Sequence, residues 1–305
     1  MEKVVEVGWG IRQRFEFIEW RCYWDGRLNR EDLENEFSIS TPQASIDLRN
    51  YREIAPGNIE YNSTEKAFIA TSNFRPQFLR LSPERYLLQL LNMKLGLLEK
   101  NETWFGELPA HDVVPQLARG PDAYILRGII KGIRTKGMME INYQSLTNTR
   151  VRKIVPHALA NDGFRWHVRA WCPERMEHRD YVLGRILSFS QPTPTEVQPP
   201  SDLVWHTEIE LRLTAHPNLD VQQRQAVERD FRLNDGLRLV KTRLSLAYYF
   251  IHRHNLDLRN NEIPPQRMQL FLQNLEEYEK LKGETMSQAK AIVEHWLRNK
   301  PQTSL

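Results

Sequence analysis

Apolar residues at Ile11, Phe15, Ile18 and Cys22 recur at helical spacing, with Phe17 and Trp20 widening the stripe, and predict a first helix from about residue 9 to 24. The following DGRLNREDLENEF supplies a turn, an N-cap candidate at Asn29 and a second short helix through Leu33 and Phe37. In SISTPQASIDLRNY, residues 38–51, Thr41 is the candidate cap and Pro42 suits a first helical turn, where its missing amide proton is not needed. Ala44, Leu48 and Tyr51 then share one face, while Pro42, Ser45, Ile46 and Arg49 point away. NIEY and KAFIAT alternate around a polar NSTE turn and read as a hairpin. Helix, helix, turn, helix, hairpin is the order of a winged helix-turn-helix, assigned to residues 1–75.

Residues 76–136 carry a mainly helical pattern, from SPERYLLQLLNMKLGLLEK through DAYILRGIIKGIRTK, and form a helical linker region. From residue 138 the period changes to two. MEINYQSL, VRKIVPHALA, FRWHVRAWC and RDYVLGRILSFS predict strands of a small, barrel-like antiparallel sheet over 137–191. QPTPTEVQPPSD, with its four prolines, reads as a linker. Residues 201–305 begin with a strand in LVWHTEIELRLTAHP, followed by helices near 219–230, 242–255, 264–282 and 285–299. The expected fold class is α+β: a winged helix, a central barrel-like sheet and a C-terminal α/β dimerisation extension over 201–305.

Composition changes this picture little. Of 305 residues 27% are charged and 40% apolar, the mix of an ordinary globular protein with room for two or three domains. No apolar run reaches the roughly 18 residues of a membrane span, and the amino terminus has no signal-peptide core, so a cytoplasmic protein is expected. Cys22 and Cys172 stand alone, so no disulfide framework or zinc site is expected, and no motif asks for a cofactor. Charge distribution says more than the net +3: residues 1–80 hold 11 Lys+Arg against 13 Asp+Glu, whereas 131–190 hold 11 against 5. Anions respond to that local excess in the middle of the chain.

The third helix carries groups that read base edges. Gln43 suits adenine, Arg49 guanine or phosphate, Ser45 either partner, and exposed Ile46 a thymine methyl. Thr41 and Pro42 sit at its entry, Arg52 at its end, and Asn62, Ser63, Thr64 and Lys66 on the wing suit phosphate or the minor groove. A surface helix of a protein-binding module is the competing reading, supported by that region's net −2. In FRWHVRAWC, alternation places Arg165, His167, Arg169 and Trp171 on one face. In RDYVLGRI, Arg179, Tyr181, Leu183 and Arg185 share another. With Tyr143, Ser145 and His157 these make a set of donors suited to a shared anion. Individually they have plainer uses: Tyr143 as a core aromatic, Ser145 as a turn cap, His157 as a structural histidine, Arg169 and Arg185 as partners of Asp180 or Glu140.

The elements INYQS, VPHAL, RWHVRAWC and the closing R-x-x-x-x-x-R-I of residues 179–186 resemble the WYL domain, an Sm-like β-barrel sensor. The family's Trp-Tyr-Leu triplet is here Trp166-His167-Val168. Behind a winged helix and ahead of a terminal extension, the order resembles WYL-domain transcription regulators, in particular repressors that accompany bacterial phage-defence islands such as BREX and CBASS. The resemblance implies a homodimeric repressor of a double-stranded operator with an inverted repeat. It also implies a WYL pocket that senses a nucleotide or single-stranded nucleic acid through Tyr143, Ser145, His157, Arg169, Arg179 and Arg185.

Catalysis is not expected, because no nucleophile meets a positioned base: His252 and His254 lie two residues apart on different helix faces, and nothing completes a site around His111 and Asp112. A barrel that binds single-stranded RNA or DNA without operator recognition is the alternative function. Leu244, Ala247, Tyr248 and Ile251, with Leu237 and Leu239, and then Met268, Leu272 and Leu275, give apolar stripes that either meet a second copy or complete the domain's own core.

Overall fold

The computed structural model describes residues 7–115, 117, 120–195, 198–258 and 262–299, in two compact units, residues 1–117 and 118–305. In the first unit the order is α1 (Trp9–Trp24), β1 (Arg27–Leu28), α2 (Arg30–Phe37), α3 (Thr41–Ile54), β2 (Ile59–Asn62), β3 (Ala67–Ala70) and α4 (Pro83–Lys94). The three strands form one antiparallel sheet in the order β1-β3-β2. β1 was not foreseen; two residues, with only Leu28 buried, are too short to show a period. It pairs with β3 and ties the hairpin back to the helices, completing a winged helix.

α1 is buried on two sides. Phe15, Phe17, Ile18 and Cys22 join Leu33, Ala44, Leu48 and Tyr51 in the core of the helical triad, whereas Trp20 packs with Leu79, Leu90 and Phe105 under α4. Glu19 sits between the two clusters, fully buried. Its carboxylate accepts hydrogen bonds from the Gln77, Phe78 and Leu79 amides and from the Tyr51 hydroxyl. Burial raises its pKa, and the four donors pull against that rise. The expected helical linker over 76–136 is only helical in part: α4 belongs to the first unit, no regular helix longer than one 3-10 turn occurs among the described residues from 96 to 122, and α5 (Ala123–Thr135) belongs to the second unit.

The second unit continues with β4 (Met139–Gln144), β5 (Thr149–Asn161), β6 (Trp166–Cys172), β7 (Glu177–Val182) and β8 (Ile186–Phe189), an antiparallel sheet in the order β7-β6-β5-β4-β8. The single strand expected over RDYVLGRILSFS is two strands. A 3-10 turn, Leu183–Arg185, carries the chain from the β6 edge to the β4 edge. Register shifts at Asn142/Tyr143 and Pro156/Ala158 mark bulges where the sheet bends. α5 lies on this sheet through Ile125 and Ile129. A Cβ on its Gly128 would collide with the Phe189 ring, so glycine there permits the close approach.

The C-terminal part comprises α6 (Leu203–His206), β9 (Glu208–Ala215), α7 (Val221–Asp230), β10 (Arg238–Arg243), α8 (Leu244–Arg253), β11 (Leu270–Leu272) and α9 (Leu275–Asn299), its sheet ordered β10-β9-β11. The two helices expected over 264–282 and 285–299 are one 25-residue helix preceded by a strand. Met268, Leu272 and Leu275 mimic a helical period, but Leu270 and Leu272 point inward from a strand. Leu244, Ala247 and Ile251 are spent on this domain's own core with Leu211, Leu213 and Tyr278, while Tyr248 and Leu239 stand half exposed. The buried members of the stripe therefore complete the domain's own core, and Tyr248 and Leu239 remain at its surface.

Candidate functional site

α3 begins with Ser40, not Thr41, as its N-cap: the Ser40 hydroxyl accepts from the Gln43 amide at 3.4 Å, and Thr41 and Pro42 fill the first turn. Its inner face is Ala44, Leu48 and Tyr51 as the pattern requires, joined by Asp47, which is held by the Arg14 guanidinium at 2.6 Å. The half-buried Gln43 side-chain amide donates to Asp47 at 3.1 Å. Ile46 is 39% exposed, and Arg49 and Arg52 are exposed. Ser45 donates to the Thr41 carbonyl and accepts from Arg30, a residue at the start of α2 that the sequence pattern did not single out.

The wing turn is built by Asn62, whose side-chain carbonyl accepts from the Thr64 and Glu65 amides, and by Lys66 in the left-handed region at φ 52°. Ser63, Thr64 and Lys66 are exposed there. Two adjoining clefts, of about 310 and 290 Å3, run between α2, α3 and the wing; Arg30, Tyr61 and Phe68 line both, Lys66 and Thr41 the first, Arg49 and Arg52 the second. Glu31 and Glu34 line the first as well. Arg30 and Tyr61 were missed because a turn arginine and a strand tyrosine carry no pattern of their own; Tyr61 is 54% exposed, propped edge-on against Phe68. The net −2 of this region is misleading, since Glu19, Asp25, Asp32 and Asp47 are engaged by Arg14, Arg21 or backbone amides.

The six residues expected to share an anion pocket lie in separate places. Ser145 is the turn residue of the β4–β5 hairpin, accepting from the Thr147 and Asn148 amides. Arg185 sits in the 3-10 turn beyond β7, so the alternation that put it beside Arg179 stops at Val182. His157 and Arg169 meet at Asp202: Arg169 binds it twice, at 2.6 and 3.1 Å, and also reaches Asp180 at 3.1 Å, while His157 Nε2 lies 3.0 Å from Asp202 Oδ2. Tyr249 of α8 donates to the other oxygen of Asp180 and stacks on His167. Burial opposes ionisation of both partners, yet the contacts win: Asp202 is held well below the usual carboxylate range and Arg169 above its ordinary value. Strand β6 is consequently buried on both faces, by the sheet core through Val168 and Ala170 and by C-terminal elements through His167, Arg169 and Trp171.

On the core face the geometry gathers a different set. Tyr143 accepts from the Val182 amide, packs edge-on against Tyr181 with ring centroids 5.2 Å apart, and carries the Arg152 guanidinium 5.7 Å from its ring centre. Arg152 is 8% exposed and meets no carboxylate among the described residues, and its Nε is buried without a hydrogen-bond partner. Burial pushes the Tyr181 phenol up, the neighbouring Cys172 thiol adds to that rise, and the positive charges of Arg179 and Arg152 oppose it. Arg179 itself is part exposed, 3.5 Å from Glu177. Arg152 escaped sequence reasoning because VRKI looks like an ordinary strand with a solvent-facing charge; its burial depends on the β4 pairing, which sets it opposite Ile141.

A winged helix, a central antiparallel sheet and a C-terminal α/β domain together define a three-part class of transcriptional regulator. Residues 10–93 match the BrxR transcriptional regulator winged helix-turn-helix domain, 124–191 the WYL domain, and 208–278 the BrxR transcriptional regulator C-terminal dimerization domain. Proteins named DNA-binding transcriptional repressor CapW are 37% identical over 88% of this chain and 91% of their own length in Escherichia coli (strain KTE188), and 36% over 90% and 92% in Pseudomonas aeruginosa. The one from Stenotrophomonas maltophilia is 34% identical over 89% and 92%. The chain belongs to this BrxR/CapW family of winged-helix WYL regulators.

Proposed function

We propose that this chain is a cytoplasmic, homodimeric DNA-binding repressor that grips an inverted-repeat operator with α3 and the wing, and whose grip is altered by an anionic nucleotide or single-stranded nucleic acid at the WYL sheet. The observation that carries the first half is the exposed face of α3, Ile46, Arg49 and Arg52 with half-buried Gln43 beside them, and Arg30, Tyr61 and Lys66 lining the adjoining clefts. The printed name of its relatives and the match to a dimerization domain support the same reading. Two-fold protein symmetry asks for a two-fold site, with half-sites about one helical turn apart. No helix among the described residues is long and apolar enough to cross a membrane.

For the sensor, the buried and unpaired Arg152 is the carrying observation. An uncompensated guanidinium inside a sheet costs several kcal/mol, on the order of the penalty for any lone buried ion, and an arriving anion would offset it. Tyr143, Tyr181 and Arg179 supply the stacking face, the hydroxyl and the second cation. The target operon we assign is one for phage defence, on the resemblance to repressors of such islands. The test is footprinting of the full chain on the duplex upstream of its own reading frame, with short single-stranded oligonucleotides added. A protected inverted repeat that changes occupancy with the oligonucleotide supports both halves. Equal affinity for that duplex and for single-stranded RNA would favour the single-strand-binding alternative instead.

A further inference from the structure

His157 on β5, His178 on β7 and Asp202 at the start of α6 bring three ligand-type atoms within 4.8 Å of one another. The two imidazoles meet edge to face with centroids 5.4 Å apart, and all three residues line a cavity of about 230 Å3 that His206, from the last position of α6, also lines. This cluster lies on the opposite face of the sheet from Arg152 and takes no part in the proposed anion pocket.

We propose that His157, His178 and Asp202 form a binding site for a divalent transition-metal ion of the Zn2+ type, with His206 or water in the fourth position. Bonds of about 2.0–2.1 Å in a tetrahedral shell place neighbouring donor atoms about 3.3 Å apart. His157 Nε2 and Asp202 Oδ2 already stand 3.0 Å apart, so the ion takes the place of the proton they share. Two imidazoles and one carboxylate are borderline donors: they suit Zn2+, Co2+ or Ni2+ and not the all-oxygen shells of Mg2+ and Ca2+.

The surroundings prepare the carboxylate. Arg169 Nε and the Trp205 amide hold the Asp202 carboxylate in place from outside the shell, as outer partners of ligating carboxylates do. The Arg169 charge is shared with Asp180, which reduces its repulsion of an incoming cation. Because the ligands come from two sheet strands and from the segment that enters the C-terminal domain, the ion fastens that segment to the sensor sheet.

Metal-stripped full-length protein titrated with Co2+ tests this. One equivalent should bind per chain with the intense visible bands of tetrahedral Co2+, displaced by Zn2+. His178→Gln should lose the bands and bind at least about tenfold more weakly. His252→Gln, at an exposed histidine paired with Asp257, should keep them. Absence of bands in the unaltered protein, or bands that survive His178→Gln, overturns the site. Should the variant fail to fold, X-ray absorption at the cobalt edge of the unaltered protein decides: two or three imidazoles support the site, and fewer overturn it.

Discussion

Arginine is used in three ways along this chain, and the contrast between α3 and the WYL sheet shows how context sets its role. Arg49 and Arg52 stand exposed on α3 and meet no carboxylate among the described residues, so they are available to phosphates and bases. Arg169 is nearly buried and fully spent on Asp180 and Asp202. Arg152 is equally buried and spent on nothing but a tyrosine ring. The first kind costs the fold nothing, the second holds it together, and the third is buried at a cost to stability.

Breaking the spent arginine has the largest expected effect. Arg169→Ala strands two buried carboxylates and should destabilise the second unit by about 3–5 kcal/mol, measured by urea unfolding; a loss near zero would place the ion pair among ornamental ones. Next comes the exposed pair: Arg49→Ala with Arg52→Ala should lower operator affinity by about 1–3 kcal/mol per lost contact and flatten its salt dependence, read by fluorescence anisotropy, with no change in unfolding midpoint.

Arg152→Met sharpens the comparison further. It should leave the unfolding free energy unchanged or raise it, since a buried unpaired charge is removed, and yet abolish the response to the anionic ligand; marked destabilisation would show that the guanidinium is structural. The smallest effect is a matter of pH. His178 is held neutral by burial beside His157, Asp202, Arg169 and His206, so its folded pKa of about 4 lies below the ordinary 6.5. Between those values the unfolded chain binds the extra proton, so metal-free stability should fall as pH drops from 6.5 towards 4. Thermal melts of His178→Gln should show a shallower fall over that window.

The same contrast explains what the sequence disclosed. α3 was legible because it has one wet face and one dry face, and local spacing records that; α1, buried on two sides, was legible from its dense apolar spacing. Strand β6 was legible as a strand but not in what covers it: RWHVRAWC alternates, but which partner each face meets depends on Asp202, Tyr249 and Trp296, which lie 33 residues or more away from Arg169 in the chain. Asp202 closes a proline-rich stretch that reads as a passive linker, yet it is the hub of the buried network. β10 was missed because only Leu239 and Val240 are apolar in Arg238–Arg243 and Leu239 faces outward. Arg152 shows the opposite failure: its neighbours alternate as expected, and only the β4 pairing reveals that its position faces inward.

The measurement that reaches the centre of this account is anisotropy of the full-length protein on a labelled duplex from upstream of its own reading frame, against a scrambled duplex of equal length, at physiological salt. The account predicts preference for the upstream duplex and its disappearance in a Gln43→Ala, Arg49→Ala protein that melts like the unaltered one. Equal binding of both duplexes by the unaltered protein, or an undiminished preference in the variant, would contradict it.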